Sequence, residues 1–153
     1  MGDMSQTEFD GADAPIGYLL HRVVAVMRPG VNAGLRELGI SLPELVCLRL
    51  LAANPGLTSA DLARATNVSA QAMNQVLNRL EELGAVSRPT VEARRTLPAQ
   101  LTRQGKTLLK KGLDAAAVAD RHLLDALSPA EVGELKRLLY KAGTSSESPD
   151  RAG

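Results

Sequence analysis

Residues 58–80 read TSADLARATNVSAQAMNQVLNRL. Thr58 and Asp61 have the spacing of a capping box, in which a cap hydroxyl and a carboxylate three residues on each take an orphan amide. A short helix should follow, and Ser69 caps the next one. Two short helices joined by a tight turn and crossing steeply make a helix-turn-helix. The crossing point admits only a small side chain, and Ala63 stands there. Four residues later the turn needs a residue that tolerates left-handed backbone, and Asn67 does so better than any other residue except glycine. Leu62, Val68, Met73 and Val76 fall where the two helices bury a shared core.

The second helix of this pair is expected to run to Leu83 and stop at Gly84. Met73, Val76, Leu77, Leu80 and Leu83 form its inner stripe. Its outer face carries Gln71, Asn74, Gln75 and Asn78, side-chain amides able to pair with adenine and other base edges in a major groove. Ser69 and Arg79 flank them, and the helix N-terminus offers amides to a phosphate. A merely solvated helix face would carry more Lys and Glu, as Glu81 and Glu82 do at the far end.

Beyond Gly84 the period shortens. Residues 86–88 and 96–101 read as two strands of a small ribbon around a polar turn, residues 89–95. Leu97, Ala99 and Leu101 share a face. Pro98 restricts the second strand to an edge or a bulge. Arg94 and Arg95 fall at or near the tip, where an arginine can enter a minor groove. Arg88 and Arg103 at the base, with Thr58 and Ser59 at the start of the third helix, are candidate contacts to the DNA backbone. An exposed, solvated turn is the plain alternative.

Helices flank this unit. Ser41-Leu-Pro-Glu44 is a capping box for a helix over 42–53, ended by Asn54-Pro55-Gly56. Before it, Ile16, Leu20, Val23, Met27, Val31, Leu35 and Leu38 recur at helical spacing. Leu19, Val24 and Val26 form a second row, so this helix needs more than one packing partner. Pro29 should kink it and Gly39 close it. Thr102 caps a long helix expected over 103–127, whose small-residue middle, residues 114–120, permits close approach. Ser128-Pro-Ala-Glu131 caps a last helix carrying Val132, Leu135, Leu138 and Leu139, expected to end at Gly143.

Composition agrees with helices. The chain has 153 residues, 44% of them apolar and 2% aromatic. Phe9, Tyr18 and Tyr140 are its only aromatics, so Leu, Val, Ala and Met must build the core. Cys47 stands alone, which rules out an internal disulfide and fits a cytoplasmic protein. No stretch is apolar enough for a membrane span, and no apolar leader opens the chain. Net charge is +1, but it is unevenly spread: −4 over residues 1–15 and +5 over 58–111. Such clustering suggests an anionic partner for the middle third. His21 and His122 lie far apart with no second cysteine, against a metal site. No phosphate loop or nucleophile elbow suggests an enzyme. His122 and Asp125 read as a surface pair.

In the order of its elements the chain resembles the MarR transcriptional regulators. The stretches that carry the likeness are SLPELVCLRLLAANPGLTSADLA from Ser41, VSAQAMNQVLNRLEELGAV from Val68 and LTRQG from Leu101. The resemblance implies a mainly α fold with a small β-wing: a six-helix winged helix-turn-helix, intertwined as a homodimer through helices 1, 5 and 6. Residues 15–143 then form one domain, with 15–39 and 102–143 as dimerisation helices and 41–101 as the winged helix-turn-helix. Residues 1–14 read as a flexible acidic arm and 144–153 as a disordered tail. The resemblance also implies binding of a pseudo-palindromic double-stranded operator, with two recognition helices in successive major grooves. Family members commonly repress and release DNA when a small aromatic or phenolic acid binds. No cofactor or membrane is implied. The family's wing usually carries aspartate-x-arginine where this chain has Ala93-Arg94-Arg95, and Glu92 is the nearest substitute for the missing acid.

Other residues divide between two readings. Tyr18, His21 and Arg22 on the first helix could hold an aromatic acid, with Arg22 for the carboxylate; as ordinary interface polar groups they would do nothing special. Cys47 reads as a small core residue, with redox sensing as the alternative. A winged-helix module for protein contact, without a DNA target, is the competing function. It would show exposed apolar anchors, and none is expected here.

Overall fold

The structure, a computed structural model, describes residues 13–91, 95–96 and 98–145. Among them, six helices run in the order α1 (Ile16–Glu37), α2 (Leu42–Ala53), α3 (Ser59–Thr66), α4 (Ala70–Glu82), α5 (Arg103–Leu124) and α6 (Pro129–Thr144). Four short strands lie between α4 and α5: β1 (Val86–Ser87), β2 (Thr90–Val91), β3 (Arg95–Thr96) and β4 (Gln100–Leu101).

The helix boundaries follow from their caps. Glu44, in the first turn of α2, accepts the Ser41 N–H at 2.7 Å and is itself buried. Asp61 accepts the Thr58 N–H at 2.9 Å, while the Thr58 hydroxyl accepts the Asp61 N–H at 3.1 Å. These hydrogen bonds, with Arg64 beside them, hold the Asp61 carboxyl below the usual carboxylate range. Ser128 and Glu131 repeat the exchange at α6. Asn67 takes the left-handed conformation, φ 53°, as the turn between α3 and α4 requires. Gly39 and Gly84 close α1 and α4 with φ near +70°. Helix α1 continues through Pro29.

Several expectations are corrected. The ribbon is a stepped hairpin in which β1 pairs antiparallel with β4 and β2 with β3. Pro89 and Pro98 lack the N–H a continuous ladder needs, and they separate the two steps. Thr90, Val91 and Arg95 therefore belong to strands, not to the turn. Helix α5 stops at Leu124, three residues early. The chain must open there so that Ser128 can be extended, φ −69° and ψ 159°, before Pro129. Gly143 does not end α6, which runs on to Thr144. The hydroxyls of Thr144 and Ser145 donate to the carbonyls of Tyr140 and Lys141 in that last turn. Val68 is exposed, not buried between α3 and α4. Its N–H closes the turn onto the Ala63 carbonyl at 3.0 Å, and its side chain is left on the outer side. Val76 and Leu83 are half-buried.

Two aliphatic cores result. One fills the winged helix-turn-helix and is built from Leu48, Leu51, Leu62, Met73, Leu77 and Leu80, with Val86 and Ala99 from the wing. The other gathers Val31, Leu35, Ile40 and Leu45 where α1, α2 and α5 meet. Leu83, Leu108 and Leu109 touch both. The start of α5 is clasped to the start of β1. The Thr102 hydroxyl donates to the Gly84 carbonyl at 2.5 Å, and the Thr102 N–H donates to the Ala85 carbonyl at 3.1 Å.

Candidate nucleic-acid interface

Helix α4 carries its apolar stripe inward and its amides outward. Met73, Leu77 and Leu80 are almost wholly buried, and Gln71, Asn74, Gln75 and Asn78 are all exposed. That division follows from the 3.6-residue period. Ser69 caps the helix by accepting the Ala72 N–H at 3.1 Å. Arg79 is exposed and lies 3.6 Å from Glu82. All six of these residues are exposed.

The neighbouring residues join that surface. The Ser59 hydroxyl donates to Asn74 Oδ1 at 3.1 Å, tying the first turn of α3 to α4. Thr58, exposed, stands beside it as the α3 cap. These residues, with Leu77, Arg88 and Ala99, line a groove of about 300 Å³ between α3, α4 and the wing base. Arg103 is exposed at the first position of α5.

Arg88, a candidate contact to the DNA backbone, is engaged within the chain. Its Nε donates to Glu81 Oε2 at 3.0 Å, and its Nη2 donates to Asn78 Oδ1. Glu81, a solvated charge by its sequence context, is thus paired with Arg88. Nothing in the local sequence pairs it with a residue seven positions on, because the wing brings Arg88 back across α4. Of the wing tip, Arg95 lies on β3 in register with Val91. Glu92, Ala93, Arg94 and Leu97 lie outside the described residues, as do residues 1–12 of the expected arm over 1–14 and residues 146–153 of the expected tail.

Tyr18, His21 and Arg22 are exposed on the N-terminal part of α1. Near them Ile16, Leu20, Val23, Val24 and Val26 are exposed too. A second apolar groove, about 600 Å³, runs beside α4 between α2 and α3. Leu42, Val46 and the outward Val68 line it with Met73 and Val76, and Gln75 borders it. Exposed apolar side chains thus do stand next to the amide row, contrary to the sequence-based expectation. Cys47 is fully buried in the first core, and burial together with the Glu44 charge pushes its thiol up to about 11. No group of three or more metal-binding side chains occurs among the described residues. No helix among them is long and apolar enough to cross a membrane.

Comparison with known proteins agrees with this architecture. A model described as the MarR family matches residues 38–96. The HTH-type transcriptional repressor Rv2887 of Mycobacterium tuberculosis is 51% identical over 133 residues, covering 86% of this chain and 96% of the relative. The crystal structure of the Mycobacterium tuberculosis MarR family protein Rv2887 in complex with DNA superposes with a TM-score of 0.74 at 48% identity, covering 86% of this chain and 99% of that one. The same protein in complex with p-aminosalicylic acid gives 0.73 at 51% identity, covering 85% and 99%. On sequence identity, coverage and fold together, the chain belongs to the MarR family.

Proposed function

We propose that this chain is a sequence-specific transcriptional repressor that binds a pseudo-palindromic operator as a homodimer and is released by a small aromatic or phenolic acid. The observation that carries this reading is the exposed amide row of Gln71, Asn74, Gln75 and Asn78 on the second helix of a helix-turn-helix. Amides at that spacing present hydrogen-bond donors and acceptors to major-groove base edges. Ser69 and Arg79 complete the recognition helix. Thr58, Ser59 and Arg103 are assigned to the DNA backbone, and Arg94 and Arg95 of the wing to the minor groove. The mycobacterial relative's structures with DNA and with p-aminosalicylic acid support both halves of the proposal. For the acid, Arg22 is assigned to the carboxylate, with Tyr18 and His21 beside the ring. No catalysis is part of this function.

Binding of the full chain to operator and to random duplexes tests the assignment. Arg95→Ala should weaken both alike and flatten the salt dependence. Gln75→Ala should mainly relax sequence choice, by about 1–3 kcal/mol for a good base contact. Equal losses on both duplexes from both variants would overturn the roles. The apolar groove beside α4 supports a second reading, a winged-helix module for protein contact. Failure of the wild-type chain to distinguish any duplex would favour that one.

A further inference from the structure

Asn78 differs from the other amides of its row in what holds it. Its Oδ1 accepts from Arg88 Nη2, and Arg88 Nε donates to Glu81 Oε2 at 3.0 Å. Glu81 lies three residues along α4 from Asn78, and Arg88 follows β1, so the guanidinium bridges two positions of the helix from the wing side. The Arg88 side chain is only 19% exposed. A guanidinium carries donors and no acceptor. It can therefore meet only the oxygen of Asn78, and the amide orientation is fixed by chemistry. Asn74 is not constrained in this way. Its partner is the Ser59 hydroxyl, which can give or take a hydrogen bond.

We infer that Arg88 sets the polarity of Asn78, so that Asn78 offers its amino group to the major groove and selects a G·C base pair over an A·T base pair. This rests on the DNA-binding function proposed above. An unconstrained asparagine favours adenine, taking a proton from the N6 amino group with its oxygen while donating to N7. In Asn78 that oxygen is already occupied. Its second lone pair remains, but a guanidinium beside it sets donor against donor when an adenine amino group approaches. Guanine presents two adjacent acceptors, N7 and O6, whereas an A·T pair presents single acceptors on either side of the adenine amino group. An outward NH₂ group with no free acceptor beside it therefore fits guanine best. Glu81 matters because the charge-assisted bond to Nε holds the guanidinium across the helix. Arg88 and Glu81 are thus positioning residues, and Asn78 makes the contact.

Selection of binding sites from randomised duplexes by the full chain, followed by sequencing, tests this. Asn78→Ala identifies the base pair in each half-site that depends on Asn78. In the wild type that pair should be G·C. In Arg88→Met it should move toward A·T by about tenfold in relative enrichment, because the amide is released to use both its groups. A merely structural Arg88 would lower affinity for every duplex and leave the base unchanged. The inference alone is overturned if the wild type selects a defined site in which the Asn78-dependent pair is A·T, or in which no pair depends on Asn78. Retention of the G·C preference by Arg88→Met also overturns it. A wild type that enriches no sequence overturns the DNA-binding function and the inference with it.

Discussion

Individual residues are constrained most tightly where backbone meets backbone. A Cβ on Gly105 would lie 2.0 Å from the Ala85 carbonyl oxygen, which explains physically why the LTRQG stretch ends in glycine. The neighbouring threonine makes the clasp that brings that carbonyl so close. Cys47 shows the opposite kind of constraint, an environment that silences a reactive group. Its pKa is raised from 9.0 to about 11, by desolvation first and the Glu44 charge second. Thiolate is the reactive form, so the buried thiol is inert near neutrality, which weighs against redox sensing. The same shift makes stability depend on pH. The unfolded thiol ionises near 9.0 while the folded one keeps its proton to about 11, so stability is full below the first value and falls toward the second. By pH 10 the loss should be about 1 kcal/mol. Urea unfolding of wild type and Cys47→Ala checks this: the wild type's advantage at pH 7 should shrink by that amount at pH 10. Parallel pH profiles would mean that the folded thiol ionises like a free one. Ala63 and Asn67 were legible because a steep crossing and a left-handed turn each leave few residue types to choose from. The Arg88–Asn78–Glu81 contact was not, since it depends on where the wing folds back and no local spacing encodes that.

At the scale of elements, caps made boundaries readable. Ser41, Thr58, Ser69, Thr102 and Ser128 all precede the helices they were assigned to. C-terminal ends were less legible, because a glycine such as Gly143 marks an end only where positive φ is actually used. Helix pairing has its own local signal. On α1, Gly30 and Gly34 face Ala119 and Ala115 of α5; an added Cβ would stand 3.3 Å and 3.1 Å from those alanine Cβ atoms. The small-residue middle of α5 was expected to permit close approach, and its partner is α1 of the same chain. Gly34→Val should therefore cost about 1–3 kcal/mol through overpacking, despite valine's better helix propensity. Ala115→Gly in the same chain should recover part of that loss. Urea unfolding of both single variants and the double variant measures the coupling, which should approach about 1 kcal/mol. Strict additivity would show that the two helices do not meet there.

For the whole molecule, the decisive feature is apolar surface that one chain does not cover. Helix α6 has no buried residue, while its Leu135, Leu138, Leu139 and Tyr140 are all exposed. On the N-terminal part of α1, Ile16, Leu20, Val23, Val24 and Val26 are likewise exposed. A second copy of the chain is the covering surface proposed here. The sequence hinted at this through the second apolar row on α1, although only the structure reveals how little of α6 a single chain buries. Clustered charge adds a reason for pairing. Residues 58–111 carry +5, and two such segments side by side would engage two half-sites at once. Binding by a linked pair exceeds that of either half by about 10²–10⁴-fold. Substituting both Leu138 and Leu139 by Glu should therefore yield a single-chain species at micromolar concentration in the ultracentrifuge. Its operator affinity should fall by about 100-fold or more, while circular dichroism retains the helical signal of the winged helix-turn-helix. Its thermal midpoint should lose the concentration dependence that a dimer shows. If wild type already sediments as one chain at that concentration, or if the doubly substituted chain stays paired, α6 is not the joining surface and the two-half-site geometry fails with it.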